Sequence, residues 1–320
     1  MNVNIDTSTS LQKLRVIFMG TPGFAVASLD ALLKAGCNIV GVVTAPDKPA
    51  GRGMKLNESA VKKFAMDKGL KILQPEKLKN PAFIEELQSL RADVQVVVAF
   101  RMLPEIVWNM PPMGTINVHA SLLPQYRGAA PINHAIINGD HESGVTTFKL
   151  QHEIDTGNIL LQEKIVIADE ENAGELHDKL MEKGAWLIVK TLQQLAAGTL
   201  TEQSQQSIVG YKDLKHAPKI FTETCKIDWS KSTSTVFNLI RGLSPHPAAF
   251  TFLEGRMLKI YRAKKEVVAH NEVPESYKTD GKSFLKFACA DGFIWVLDIQ
   301  LEGKKRMLIQ DFLRGYRFVH

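Results

Sequence analysis

Leu14-Arg15-Val16-Ile17-Phe18-Met19-Gly20 is a short, nearly continuous apolar run, and Thr21-Pro22-Gly23 turns the chain after it. Phe24, Val26, Leu29, Leu32 and Leu33 then recur at helical spacing up to Gly36, and a second run spans Asn38 to Thr44. A strand that is apolar on both faces is one covered on both sides, as in a parallel sheet. Strand, helix and strand within about thirty residues make a βαβ unit, which fixes the expectation of an α/β fold.

The same alternation continues outward. Helices are expected over Ser59 to Lys68, from Asn80-Pro81 through Leu90 with Pro in the first turn, over Pro131 to Asn138 and over Ala173 to Ala196. Strands are expected at Lys71 to Leu73, Asp93 to Phe100, Gly114 to His119, Gly144 to Leu150 and Leu160 to Ile167. The segment 198–210 is polar and rich in Gln and Ser, as a linker would be. Beyond it the character changes. After a helix around Thr235 to Arg241, short apolar runs at 250–252, 258–261, 284–288 and 293–297 are separated by Glu254-Gly255, Asp280-Gly281 and Asp291-Gly292. That is the pattern of a small antiparallel barrel. The expected organisation is a mostly parallel, Rossmann-like domain over 1–197, a linker over 198–210 and an OB-like β-barrel domain over 211–320.

Composition excludes several classes. The chain has 320 residues, 45% hydrophobic and 23% charged, which suits a globular protein of two domains. Met1 to Gln12 is polar, and no apolar run reaches the ~18 residues of a membrane span, so a cytoplasmic protein is expected. Cys37, Cys225 and Cys289 lie far apart with no CxxC, which argues against a zinc ribbon and fits a reducing compartment. The net charge of +5 is uneven: residues 201–320 carry 19 Lys+Arg against 13 Asp+Glu, whereas 1–200 carry 20 against 21. A mildly basic surface explains that, and so does a polyanionic partner such as nucleic acid.

Gly20-Thr21-Pro22-Gly23 is not a dinucleotide fingerprint, because the G-x-G-x-x-G spacing is absent and Pro fills the tight turn. The loop 45–56 carries Lys48, Arg52 and Lys55 among glycines and prolines. It reads equally as punctuation or as an arm that grips phosphate. Asn117-Val118-His119 puts an amide and an imidazole on one face of a strand end, ahead of the irregular loop Ala120 to Pro131. Asp155-Thr156-Gly157 follows the next strand and can aim a carboxylate at the same sheet edge, where open α/β sheets bind ligands. Amide, imidazole and carboxylate together suit acyl transfer to an amine: two donors for a developing oxyanion and a group that manages the proton. His119, His134, His141 and His152 show no metal-ligand spacing, and no metal is expected.

At these residues the chain resembles the folate-dependent formyltransferases, and among them those that formylate methionyl-tRNA. Phe18-Met19-Gly20-Thr21-Pro22, Asp47-Lys48-Pro49-Ala50-Gly51-Arg52-Gly53, the Asn117 to Pro124 and Tyr126 to Ile132 runs, Asp155-Thr156-Gly157, Ile227-Asp228-Trp229 and Ile240-Arg241-Gly242 carry it. The resemblance implies Asn117, His119 and Asp155 as the catalytic set. It implies 10-formyltetrahydrofolate as formyl donor, held by Ser121, Leu122, Leu123 and Pro124 with Phe100, Met102 and Ile154. It implies the methionine amine of initiator tRNA as acceptor, with Lys48, Arg52, Lys55 and Arg241 toward the tRNA and the barrel holding it. A monomer is expected. Two departures stand out: Gly23 where the family often has an acidic residue, and a shorter Phe100-Arg101-Met102-Leu103-Pro104 where the family usually has a longer Ala-Tyr-Gly segment.

Overall fold

The computed structural model describes residues 11–50, 55–208 and 214–318. In chain order these form β1 (Arg15–Gly20), α1 (Gly23–Lys34), β2 (Asn38–Val43), β3 (Lys48–Ala50), β4 (Lys55–Asn57), α2 (Ala60–Asp67), β5 (Ile72–Leu73), α3 (Pro81–Ser89) and β6 (Val94–Val98). There follow α4 (Glu105–Trp108), β7 (Thr115–His119), β8 (Arg127–Gly128), α5 (Pro131–Ile137), β9 (Glu142–Lys149), β10 (Ile159–Val166) and α6 (Ala173–Ala196). The C-terminal elements are β11 (His216–Ala217), α7 (Thr233–Leu243), β12 (Ala249–Leu253), β13 (Arg256–Val267), β14 (Tyr277–Thr279), β15 (Leu285–Cys289), β16 (Gly292–Leu301), β17 (Met307–Leu308) and α8 (Ile309–Gly315).

These elements gather into two compact units. One takes residues up to 127 with 144–165 and 178–215; the other takes 128–143, 166–177 and 216 onward. The second unit therefore recruits α5 and the stretch 166–177 from before the linker. The reason is local: Asn133 Nδ2 donates to the Gly242 carbonyl (2.7 Å), and Arg241 Nη1 donates to the Glu171 carbonyl (3.1 Å).

In the first unit a seven-stranded sheet runs β10-β9-β7-β6-β1-β2-β5. β1 pairs in parallel with β2 and β6, β6 with β7, and β2 with β5; β7 and β9 are antiparallel. Val16, Ile17, Phe18 and Met19 have no solvent exposure, which accounts for their unbroken apolar character. Each such side chain contributes about 1.5–3 kcal/mol of burial. Leu29 and Leu32 of α1 are equally buried. Helix starts follow the sequence: Ser59 Oγ caps α2 by accepting from Lys62 N (3.0 Å), and Asn80 caps α3 ahead of Pro81. β2 and β6 leave β1 on opposite sides, so the order reverses there, the place where open α/β sheets bind ligands at the carboxyl ends of their strands.

The 45–56 loop is not structureless, since β3 and β4 pair antiparallel. At its base the Asp47 carboxylate accepts from both Lys62 Nζ and Gln74 Nε2, which hold its carboxyl below the usual range. The segment 198–208 is also more than a linker. Gln203 exchanges backbone hydrogen bonds with Ile159 (2.8 and 2.9 Å), and Gln205 is buried. Its polar composition serves hydrogen bonding to the sheet edge.

The second unit holds a six-stranded sheet, β12-β13-β16-β15-β14, with β17 on β16. Register shifts at Ile260 to Ala263 bend the long β13. Among the described residues the strands form an open path. Ile227 N covers the edge of β12 by donating to the Phe250 carbonyl (2.8 Å). Trp229 stacks on Phe287 at 4.7 Å and donates to Thr251 Oγ1 (2.9 Å), with Phe237, Ile240 and Phe312 around them. Glu254 (φ 49°) and Gly255 (φ 77°) both take left-handed backbone, the type I′ geometry that a two-residue hairpin needs.

Candidate active site

Asn117 and His119 lie on β7, between Val97 of β6 and Phe148 of β9 for the first, and opposite Thr146 for the second. The i, i+2 spacing places both on one face. His119 is only 7% exposed, and its ring meets Phe148 edge-on at 6.4 Å. Its Nε2 lies 2.9 Å from the Tyr126 carbonyl. A carbonyl can only accept, so Nε2 carries the proton and Nδ1 is left as the reactive nitrogen. Tyr126 is itself held in left-handed backbone (φ 60°), with its N–H donating to the Lys215 carbonyl (2.7 Å). Asp155 Oδ2 stands 3.8 Å from His119 Nδ1. That is an ion-pair distance for a protonated imidazole and longer than a hydrogen bond.

The turn that carries Asp155 is tightly determined. Asp155 has φ 56°. A Cβ on Gly157 would lie 1.6 Å from the Lys149 carbonyl oxygen, so only glycine lets the turn close onto the end of β9. Thr156 Oγ1 donates to the Glu153 carbonyl (3.0 Å) and accepts from Gln151 Nε2 (2.9 Å). Gln205 donates from Nε2 to the carbonyls of Asp155 (2.9 Å) and Gly157 (2.7 Å). Its Oε1 accepts from Arg127 Nε (3.0 Å) and Nη2 (2.6 Å). Neither Gln205 nor Arg127 was among the site residues expected from sequence. Arg127 sits in the family-like Tyr126 to Ile132 run, but Gln205 lay hidden in a stretch whose composition reads as linker.

Ser121 to Pro124 follow β7 directly. Ser121 Oγ donates to the Gln125 carbonyl (2.6 Å), and Thr146 Oγ1 donates to the Ser121 carbonyl (2.7 Å) while accepting from Leu123 N (3.1 Å). Gln162 Nε2 donates to the Leu123 carbonyl (2.8 Å). The loop is thus pinned, with Leu123 buried and Leu122 half-buried. Phe100, half-buried, follows β6, where Ala99 takes φ 47°. Arg101 folds back onto the carbonyls of Pro75 and Glu76, so this short segment is anchored. Met102 is 74% and Ile154 60% exposed. The loops that bear them run side by side, because His152 meets Trp108 edge-on at 6.4 Å and Glu105 at 3.4 Å. Exposed apolar side chains beside fixed backbone polar groups suit a flat heterocycle such as a pteridine.

The four residues expected to face tRNA divide. Lys48 is exposed on β3, Lys55 begins β4, and Arg52 lies outside the described residues. Arg241 is 8% exposed and donates to the carbonyls of Glu171 and Ala168 and to Asn238 Oδ1, and its burial lowers the guanidinium pKa. The structure corrects that expectation: Arg241 is an internal tie of the second unit, donating to two backbone carbonyls and the Asn238 side chain. Exposed cations on this unit include Lys264 and Lys265 of β13 and Lys304 and Lys305 before β17. Among the described residues no three His, Cys, Asp or Glu side chains gather as a metal site would need.

Family models match both parts of the chain, "Formyl transferase" over residues 12–192 and "Formyl transferase, C-terminal domain" over 219–317. A methionyl-tRNA formyltransferase of Bacteroides fragilis is 52% identical over 310 residues, which cover 95% of this chain and 96% of that one. One of Phocaeicola vulgatus is 56% identical over 311 residues, at 95% and 96% coverage. Among solved structures, an N-formyltransferase from Helicobacter canadensis in complex with folinic acid and dTDP-3-aminofucose aligns with a TM-score of 0.68 at 20% identity, covering 92% of this chain and all of that one. The sugar 3N-formyl transferase WlaRD aligns at 0.67, covering 91% and 99%, and shares the fold. With both domain models in place and full-length relatives above half identity, the chain belongs to the formyl transferase family, in its methionyl-tRNA formyltransferase branch.

Proposed function

We propose that the protein transfers a formyl group from 10-formyltetrahydrofolate to the α-amino group of methionine on initiator methionyl-tRNA, in the cytoplasm, as a step of translation initiation. The observation that carries the reading is the Asn117–His119–Asp155 geometry, joined to full-length relatives that bear this name. Folate supplies a formyl carbon open to attack by an amine, with negative charge developing on the formyl oxygen.

The residues divide the remaining work. Asn117 offers an amide N–H from the strand end to that oxygen. His119 holds its Nε2 proton on the Tyr126 carbonyl, so Nδ1 is the atom that takes the proton of the attacking amine. Asp155 then faces the imidazolium that results and stabilises its charge until His119 returns the proton to folate N10, as the adduct collapses, the bond between the formyl carbon and N10 breaks and tetrahydrofolate leaves. Phe100, Met102, Leu122 and Ile154 line the folate side, and Ser121, Leu123 and Pro124 give it a fixed wall. No hydroxyl or thiol is needed as a covalent nucleophile, because the amine attacks directly. The pinned loops matter because general acid–base groups act over hydrogen-bond distances.

The acceptor reading draws on the exposed Lys48 of the β3–β4 hairpin and on the net positive charge of residues 201–320, which suits a phosphate backbone. The test is formylation by the full chain of charged initiator tRNA, charged elongator methionyl-tRNA and a free aminosugar nucleotide. Preference for the initiator species by tenfold or more supports the reading. Formylation of the aminosugar nucleotide alone would replace it with a small-amine enzyme.

A further inference from the structure

Gln205 sits outside every motif, yet it is 3% exposed and uses its whole hydrogen-bonding capacity within the first unit. Both amide hydrogens go to the Asp155 turn, at 2.9 and 2.7 Å. Its oxygen takes the two-pronged donation of Arg127, at 3.0 and 2.6 Å. Arg127 is bonded through one peptide to Tyr126, whose carbonyl receives His119 Nε2. His119 Nδ1 faces Asp155. The contacts close a ring: His119 to Tyr126, along the chain to Arg127, across to Gln205, on to Asp155, and back to His119.

We propose that Gln205, oriented by Arg127, is the positioning residue that sets the separation between the His119 imidazole and the Asp155 carboxylate. The inference rests on the formyl-transfer reading above and adds to it a group that never touches substrate.

Three features carry it. The Asp155 backbone is left-handed, a conformation that aspartate tolerates and that the contacts around the turn hold in one orientation. Two carbonyls two residues apart accept from one amide nitrogen, which fixes the turn's orientation as well as its place. A guanidinium on Oε1 polarises the amide and strengthens its donation. Gln205 is in turn fixed from behind by the Gln203–Ile159 backbone pair and by the Ser204 side chain, which accepts from Gln206 N. A carboxylate at this position would repel the same two carbonyls, and asparagine would be one methylene short of them.

The experiment is a double-mutant cycle on the full chain with initiator methionyl-tRNA and 10-formyltetrahydrofolate: wild type, Gln205→Leu, Asp155→Asn and the double variant. Expected is a fall in kcat of tenfold or more for Gln205→Leu, with KM for both substrates within about twofold, a displaced pH profile of kcat, and far less than the multiplied loss in the double variant. Arg127→Lys, which keeps the charge and loses the fork, should retain part of the activity that Arg127→Met loses. If Gln205→Leu does not fold by circular dichroism, the Arg127 pair reads the same ring. A loss that multiplies independently with Asp155→Asn, an unmoved pH profile, or a change confined to KM overturns the proposal. Inactive wild type would instead overturn the formyl-transfer reading, and a fully active Asp155→Asn would overturn the role of Asp155.

Discussion

The two units treat their polar side chains in opposite ways. In the first, the polar groups around the candidate site are held by several partners: His119 between Tyr126 and Asp155, Gln205 between Arg127 and the Asp155 turn. In the second, Arg241 apart, cations lie at or near the surface next to rings and carboxylates. Lys286 lies 4.0 Å from the Phe293 centroid and pairs with Glu266, and Arg306 lies 4.1 Å from Tyr261 and pairs with Asp298. The difference follows from distance dependence. A proton moves only across a hydrogen bond, so its donor and acceptor must be fixed within a fraction of an ångström. A phosphate backbone attracts charge across about a Debye length, ~8 Å, so placement there can be loose.

That contrast can be broken, most sharply at the first unit. His119→Ala or Asp155→Ala should lower kcat by about 10²–10⁴-fold with circular dichroism unchanged, and activity within about tenfold of wild type would remove them from the chemistry. Gly157→Ala must move the turn away from the Lys149 carbonyl, and a displacement of about 1 Å predicts a loss near 10²-fold in steady-state rate. In the second unit the effects should be smaller and salt-dependent. Lys264→Glu with Lys305→Glu should raise KM for tRNA several-fold and flatten its logarithmic salt slope by about one for each phosphate no longer neutralised. Arg241→Leu should leave that slope alone and cost about 1–3 kcal/mol of stability, read as a lower melting temperature, because the buried Glu171 carbonyl loses its donor.

The smallest effect is shared by both units. Burial pushes the Cys37 and Cys289 thiols from 9.0 up to about 12. Below pH 9 the thiols are neutral folded or unfolded. As pH rises from 9 toward 12 they ionise only in the unfolded chain, so stability falls across that window. Denaturant midpoints measured from pH 8 to 11 should decline, and Cys37→Ala with Cys289→Ala should flatten the decline.

Much of the fold was legible because its signals are local. β1, α1, β2, α2, α3 and α6 lie within a residue or two of their sequence expectation, since caps, glycines and apolar period coincide. The approach of Asp155 to His119 was legible because strand spacing and sheet edge constrain where such residues point. What escaped depends on contacts across long stretches of chain. Gln205 meets Asp155 from 50 residues away and Arg127 from 78, and nothing in a run of Gln and Ser marks one amide as buried. Arg241 looked like a cation for tRNA because a motif carried it; the partners that turn it inward, the carbonyls of Ala168 and Glu171, lie some 70 residues earlier. The β3–β4 pairing was missed because prolines and glycines outvote two short strands.

The left-handed backbone at Asp155 restricts what drift can do at this position. Left-handed conformations are readily taken by Gly, Asn and Asp among the twenty residues, and of these Asp alone bears a charge. Glutamate would keep the carboxylate and strain the turn; asparagine would keep the turn and drop the charge. Backbone and chemistry therefore ask for the same amino acid on unrelated grounds, and no intermediate substitution satisfies both. On the role proposed for Asp155, a lineage that leaves it gives up either its shape or its charge in a single step, whereas the ordinary strand geometry at His119 would admit many replacements without protest from the fold.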